Sequence, residues 1–499
     1  MTTSQFWQRL CAAACLMLAQ LAFSQPQSIG QAKPGLPATV IEALNRAQVS
    51  PEGVAVLVKE VGTKEMVLVQ NIDRAMNPAS VMKLVTTYAG LELLGPTYTW
   101  KTDVLIAGEL RGGTLNGDLV LRGNGDPKLT VERFWLLLRH LRERGLRSIN
   151  GDLILDKSFF GAVDADPSKF DGEAMRAYNV GPDALLVNFK TVRFQFAPSV
   201  DERSVSISPD VKPAQLSITN RARLIDGPCG DWRERIKLDV QQASATEIRV
   251  AFSGSYPKSC GEASWNVSLL DHARFVGGVF ANLWSDVGGT WKGAVRVAAA
   301  PADAKLIAST ESAPLSEMVR DINKFSNNVM ARQLFLTLSG EIDKQPATVA
   351  RSTDIVKTWL SRKGINAPEL VIENGSGLSR VERISANSLG QLLDAAFNSS
   401  VMPEFVSSMS LNGLDGTFRR RARTEVAAGI AHLKSGTLND VRAIAGYLLA
   451  NDGKRYLLVM MINHPNAILS QAAQDALLQW VYARNPVVSG PPLPTSTAP

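Results

Sequence analysis

Histidine and cysteine are scarce in this chain, four of each among 499 residues. The histidines (His140, His272, His432, His464) are scattered, and no Cys-x-x-Cys or His-Glu-x-x-His spacing occurs, so the common zinc-binding patterns are excluded. The serine-hydrolase signature Gly-x-Ser-x-Gly is missing as well. Asn374-Gly375-Ser376-Gly377 comes near it but lacks the first glycine, which disfavours a Ser-His-Asp enzyme. Beyond the N-terminal leader no apolar run reaches membrane-spanning length. The net charge of +6 comes without an aromatic-interleaved basic stripe, so nothing points to nucleic acid. The densest basic run, Arg419-Arg420-Arg421 with Arg423, reads as a solvated face.

Residues 1–24 read as a secretory signal: Arg9 is the positive end, Leu10 to Ala22 is apolar, and Ala22-Phe23-Ser24 offers small residues for cleavage. An exported protein without a membrane anchor is expected, in the periplasm, with a mature charge of about +5 once Arg9 is gone. That mild excess suits an anionic polymer or surface as partner. Cleavage also removes Cys11 and Cys15. The remaining Cys229 and Cys260 both sit in turn-like glycine contexts, and in an oxidising compartment a disulfide between them is the expectation; two free surface thiols are the alternative.

The two extremities of the chain look alike. Gly53 to Glu60 and Met66 to Gln70 flank Gly62-Thr63-Lys64, and Ala443 to Ala450 and Arg455 to Asn463 flank Asn451-Asp452-Gly453, both as hairpins. An apolar helix with Ile468, Leu469, Ala472, Ala473, Ala476, Leu477 and Trp480 follows. One discontinuous domain over 25–97 and 301–484 is therefore expected. Residues 98–300 carry short alternating runs between turns, which predicts inserted β-rich domains, two in number. Helices are expected over Leu315–Leu338, Thr353–Arg362 and Ser385–Asn398, and a disordered tail over 485–499.

The chemistry concentrates at Asn77-Pro78-Ala79-Ser80-Val81-Met82-Lys83. Asn77 is a preferred N-cap, Pro78 suits the first helical position and Gly95-Pro96 ends the segment. On such a helix Ser80 and Lys83 share a face, so an amine can take the proton of a serine nucleophile. The Ser80 backbone N–H lies in the first turn, free for an oxyanion unless the Asn77 side chain caps it rather than Ala79. Apolar residues on more than one face make this helix central and buried. Ser255-Tyr256-Pro257-Lys258 has the same spacing, but Gly254 and Pro257 oppose a helical turn there. Ser326-Asn327-Asn328 lies between two helical stretches, where a polar turn can face a cleft, whereas Ser385-Ala386-Asn387 reads as a helix cap. Lys434-Ser435-Gly436-Thr437 is the sole Lys-[Ser/Thr]-Gly. On a strand it sets Lys434 and Gly436 on one side and Ser435 and Thr437 on the other, with the glycine admitting a substrate backbone and the lysine suiting a substrate carboxylate. His432 reads as a plain strand residue.

In this order the three motifs resemble those of the penicillin-recognising serine enzymes. The long span between Lys83 and Ser326, Asn77-Pro78-Ala79-Ser80, and Asn374-Gly375-Ser376-Gly377-Leu378-Ser379-Arg380 make the chain similar to the class C low-molecular-mass penicillin-binding proteins, carboxypeptidase/endopeptidases of penicillin-binding protein 4 type. The middle motif is Ser-Asn-Asn where many relatives have Ser-Asp-Asn, and the third is Lys-Ser-Gly where many have Lys-Thr-Gly. Both keep the hydrogen-bonding atoms. The resemblance implies an α/β (α+β) transpeptidase-like domain, an antiparallel sheet between helices, interrupted by the inserted domains. It implies a D-Ala-D-Ala carboxypeptidase acting on peptidoglycan stem peptides, endopeptidase action on cross-links, β-lactams as covalent inhibitors, and no cofactor or metal. It further implies Ser80 as nucleophile, Lys83 as base, Ser326 as proton relay and Asn328 on the substrate amide. Lys434, Ser435 and Thr437 would hold the terminal carboxylate, the Ser80 and Thr437 amides the oxyanion, and Arg380 an acidic group of the stem. A β-lactamase and a non-catalytic cell-wall-binding protein remain the alternatives. No separate acidic base for deacylation is visible.

Overall fold

The computed structural model describes residues 35–484 apart from 164–165, 245, 420 and 422–427. The leader at 1–24, the tail from Asn485, and Arg420 and Arg423 of the basic run lie outside the described residues.

Six strands make the central sheet: β1 (Val54–Glu60), β2 (Met66–Gln70), β3 (Ser410–Leu411), β4 (Ala431–Leu438), β5 (Val441–Leu449) and β6 (Arg455–Asn463), in spatial order β3-β4-β5-β6-β1-β2. Every neighbouring pair is antiparallel. Strand β1 pairs with β6 from Val54 opposite Ile462 to Glu60 opposite Tyr456, so the two ends of the chain close one sheet. The hairpins expected at both ends are present.

Helix α1 (Ala38–Arg46) and the C-terminal α6 (Gln471–Tyr482) cover one face of this sheet; α2 (Lys83–Leu94), α3 (Leu315–Phe325), α4 (Asn328–Asp343) and α5 (Ala386–Phe397) cover the other. Alternation along the strands supplies both cores. Leu57, Ala443, Ala445, Leu457 and Val459 join the α2 side, while Val56, Val58, Ile444, Leu458 and Met460 join the α1 side. Burial on both faces explains why Tyr456 to Ile462 reads as an unbroken apolar run. In α2 all residues from Lys83 to Leu91 are buried, as the apolar residues around its circumference require.

Residues 101–311 build further sheets. Strands Lys101–Arg111, Thr114–Gly123 and Lys305–Glu311 form the backbone of one, so that sheet runs past residue 300. Two three-stranded sheets from residues 192–267 enclose Phe194, Phe196, Phe252 and Tyr256. Cys229 and Cys260 are joined in a disulfide, with Cα atoms 4.8 Å apart. The β-rich reading of this stretch left out two helices, Val131–Glu143 and His272–Asp286. The first shows its apolar face at Phe134, Leu137, Leu138 and Leu141, a helical spacing inside a region otherwise patterned as strands. Among the described residues no helix is long and apolar enough to cross a membrane.

Candidate active site

Ser80 sits in a 3-10 turn, Ala79–Met82, that leads into α2 at Lys83. The continuous α-helix expected from Pro78 therefore begins one turn late. Ala79, fully buried, has φ +45°, a left-handed conformation that an alanine adopts only when its surroundings enforce it. Those surroundings are visible. The Asn77 side chain accepts from the Ala79 N–H at 2.9 Å and donates to the Ser379 carbonyl at 2.9 Å. Asn463, at the end of β6, clasps the Asn77 backbone from both sides, at 2.8 and 2.9 Å. Because Asn77 caps Ala79, the Ser80 N–H is not consumed by that cap.

Two glycines make this turn fit. A Cβ on Gly377 (φ +78°) would stand 1.9 Å from the Ala79 carbonyl oxygen. One on Gly436 would stand 2.5 Å from the Pro78 oxygen and 3.0 Å from the Ser80 nitrogen. The Pro78–Ser80 turn itself approaches Gly436 closely, beside the substrate approach that the strand reading expects.

The three motifs converge. Lys83 Nζ donates to Ser80 Oγ at 2.9 Å, to Asn328 Oδ1 at 2.7 Å and to the Ser376 carbonyl. Lys434 Nζ donates to Ser326 Oγ at 2.9 Å and to the Ser435 carbonyl at 2.6 Å. Ser326 caps the C-terminus of α3 in the left-handed region (φ +56°), and Asn327 caps the N-terminus of α4 by accepting from the Met330 N–H. Helix ends need such caps, and here two abutting helices bring Ser326 to Lys434 and Asn328 to Lys83 in one cleft.

Both lysines have 0% exposure. Burial, then the nearby Lys434, hold the Lys83 amine well below the usual lysine range, although Glu382 pulls the other way. Burial alone lowers Lys434 to about 7. A neutral Lys83 keeps two N–H groups for Asn328 Oδ1 and the Ser376 carbonyl and turns its lone pair to Ser80 Oγ, from which it is able to accept a proton.

The cleft has two arms that meet at Ser80, Ser326 and Thr437. One, of about 370 Å³, runs past Thr417, Ser435 and Arg442; the other, of about 300 Å³, past Phe170, Asp171, Tyr178, Asn328 and Arg380. Arg380 pairs with Asp440 at 3.0 Å and lies over the Phe170 ring at 4.5 Å. That exposed pair is weak and exchangeable for another carboxylate. Asn328 Nδ2 donates to the Tyr178 carbonyl at 3.0 Å, so both ends of this side chain are engaged. His432 stays in the sheet, opposite Tyr447.

Sequence reasoning missed Thr417, whose hydroxyl lies 2.8 Å from that of Ser435. It also missed Phe170, Asp171 and Tyr178, which come from the inserted segment and carry no motif. Ser376 belongs to the Asn374-Gly375-Ser376-Gly377 run, but its part is played by a backbone carbonyl, which side-chain patterns do not reveal. Among the described residues there is no His/Cys/Asp/Glu cluster suited to a metal.

Comparison with known proteins places the family and the fold. Residues 36–483 match the D-Ala-D-Ala carboxypeptidase 3 (S13) family. The chain is 28% identical over 440 residues to a D-alanyl-D-alanine carboxypeptidase of an Actinomadura species, covering 85% of this chain and 80% of that one. It is 24% identical over 427 residues to the D-alanyl-D-alanine carboxypeptidase DacB of Haemophilus influenzae, with 85% and 88% covered. The crystal structure of penicillin-binding protein 4 from Haemophilus influenzae has a similar fold, with a TM-score of 0.69 at 22% identity, covering 88% of this chain and 99% of that one. A predatory endopeptidase from Bdellovibrio bacteriovorus, in complex with an immunity protein, is similar at a TM-score of 0.51 and 17% identity, with 86% and 93% covered. The chain belongs to the D-Ala-D-Ala carboxypeptidase 3 (S13) family and has the fold of penicillin-binding protein 4.

Proposed function

We propose that this protein is a serine-type D-Ala-D-Ala carboxypeptidase of peptidoglycan stem peptides in which Ser80 forms the acyl-enzyme. The observation that carries the reading is the contact of a fully buried Lys83 amine with Ser80 Oγ at 2.9 Å. Lys83 takes the Ser80 proton as the oxygen attacks the penultimate D-Ala carbonyl carbon. The Ser80 and Thr437 N–H groups receive the oxyanion, the amide C–N bond breaks, and Ser326 relays a proton to the departing amine. Water then hydrolyses the ester, with Lys83 acting a second time as base.

The terminal carboxylate rests on the hydroxyls of Ser435 and Thr437, with Thr417 beside them. Lys434 is too buried to touch it and contributes its charge from behind, next to Ser326. Asn328 binds the substrate amide through the Nδ2 hydrogen that Tyr178 does not take, and Arg380 exchanges Asp440 for an acidic group of the stem. Cross-links between stems are a second substrate, because the arm past Thr417 and Arg442 leaves room for a leaving group larger than D-alanine. β-Lactams acylate Ser80 by the same route, and the protein works in the periplasm. The catalytic domain is built from the described residues 35–97 and from the chain after Glu311 to 484, and the inserted segment, whose sheet runs on to Glu311, walls the cleft through Phe170, Asp171 and Tyr178.

Mass spectrometry of muropeptides incubated with the purified protein tests the reading. Pentapeptide stems should lose one D-alanine, and cross-linked dimers should fall to monomers. Unchanged muropeptides with intact murein binding would instead identify a non-catalytic wall-binding protein.

A further inference from the structure

Glu382 is a carboxylate that the reaction scheme leaves unused, and it is fully buried, with 0% exposure. Its Oε1 accepts three successive backbone N–H groups, from Glu373 at 3.1 Å, Asn374 at 2.9 Å and Gly375 at 3.1 Å. Its Oε2 is buried without a hydrogen-bond partner among the described residues. Ser379 Oγ turns the chain back toward the loop by accepting from the Val381 and Glu382 N–H groups at 3.0 and 3.1 Å. One carboxylate oxygen thus folds the segment 373–382 around itself; burial pushes this carboxyl up from the usual carboxylate range, while the three N–H groups and then Lys83 pull it back toward the charged form.

What that segment touches is the catalytic apparatus. The Ser376 carbonyl accepts from Lys83 Nζ, and the Gly375 carbonyl accepts from Thr86 Oγ1 at 2.6 Å, one turn further along α2. Gly377 packs against the Ala79 carbonyl, and the Ser379 carbonyl receives Asn77 Nδ2. The nucleophile turn and the amine therefore both lean on a loop whose shape depends on Glu382. Of the charged groups facing Lys83, Lys434 and Arg332 are cations, and Glu382 is the anion. With no exposure, Glu382 has no access to a hydrolytic water, which separates it from the deacylation base.

We propose that Glu382 is a positioning residue: its carboxylate holds the Gly375-Ser376 turn that aims the Lys83 amine at Ser80, and its charge offsets the cations around that amine. This rests on the reading of Ser80 and Lys83 as nucleophile and base. A glutamine at 382 would keep the volume but present an NH₂ or a neutral oxygen to three N–H donors.

The experiment measures the rate of labelling by a fluorescent penicillin against pH for the full chain and for Glu382→Gln, with thermal melting of both. The wild type must label at Ser80; if it does not, the functional reading fails independently of Glu382. The variant is expected to melt cooperatively and to label about tenfold more slowly or worse, as small misplacements of a base do. Its acid limb should move to lower pH, because losing the negative charge makes protonation of Lys83 less favourable. Labelling at the wild-type rate would overturn the proposal. So would a slower rate with an unmoved acid limb, which marks a purely structural role. Should the glutamine chain not fold, Glu382→Asp carries the test: the charge stays but is withdrawn by one methylene, so slower labelling supports the proposal and a native rate overturns it.

Discussion

Replacing Lys83 with methionine should leave a folded protein that hardly acylates. The amine stands 2.9 Å from Ser80 Oγ, so its loss removes the general base directly. Such a base is worth about 10² to 10⁴ in rate, which at roughly 1.36 kcal/mol per decade is about 3 to 5 kcal/mol of barrier. The cost to folding is smaller in net. Asn328 Oδ1 and the Ser376 carbonyl lose a donor, at about 1–3 kcal/mol for each unsatisfied buried acceptor. Against this, the substitution removes an amine that burial and Lys434 already disfavour in its charged form. Methionine also keeps most of the apolar stem. The assay is the second-order rate of labelling by a fluorescent penicillin, read beside a melting curve. In the wild type, labelling should persist at neutral pH and fall only in acid, because the base works unprotonated and its proton affinity is depressed. That acid limb should vanish in the variant. Labelling within threefold of wild type by a folded Lys83→Met protein would refute the assignment of the base.

Other outcomes follow from the same geometry. Lys434 is lowered to about 7 and must be charged to attract a carboxylate, so KM for a substrate with a free C-terminus should rise as pH climbs through that value. A C-terminally amidated analogue should lack that trend, and equal pH profiles would contradict it. Gly377→Ala should cut labelling at least about tenfold, since its Cβ would lie 1.9 Å from the Ala79 oxygen in a residue at φ +78°. Cys229→Ser with Cys260→Ser should lower stability by about 2–4 kcal/mol in denaturant melts while leaving the labelling rate unchanged, because the disulfide joins a loop and a 3-10 turn of the inserted segment, apart from the cleft lining.

The parts of the fold legible in the sequence are those governed by local periodicity. Strands β1, β2, β5 and β6 and the cap at Ser385 announce themselves through apolar runs, turn residues and a serine that accepts from the Ser388 N–H. The three motifs were equally legible, because each packs its chemistry into three or four consecutive residues. What escaped was whatever depends on distant chain segments meeting. The left-handed Ala79 follows from Gly377 packed against it and from Asn77, its cap, being held by Ser379 and Asn463, none of the three near in sequence. The cleft wall at Phe170 and Tyr178 comes from an insertion that carries no motif at those residues. The packing of Gly436 against Pro78 and Ser80 was likewise hidden, because a motif names the residue that lacks a side chain and not the atom that fills the space.

The central claim is that Ser80, primed by Lys83 and with Lys434 set beside Ser326, is the residue acylated. It is tested most directly by intact-protein mass spectrometry after exposure to benzylpenicillin, followed by peptide mapping. The account predicts a single penicilloyl adduct, confined to the peptide that carries Ser80. An unmodified protein, or an adduct on any other residue, would contradict it.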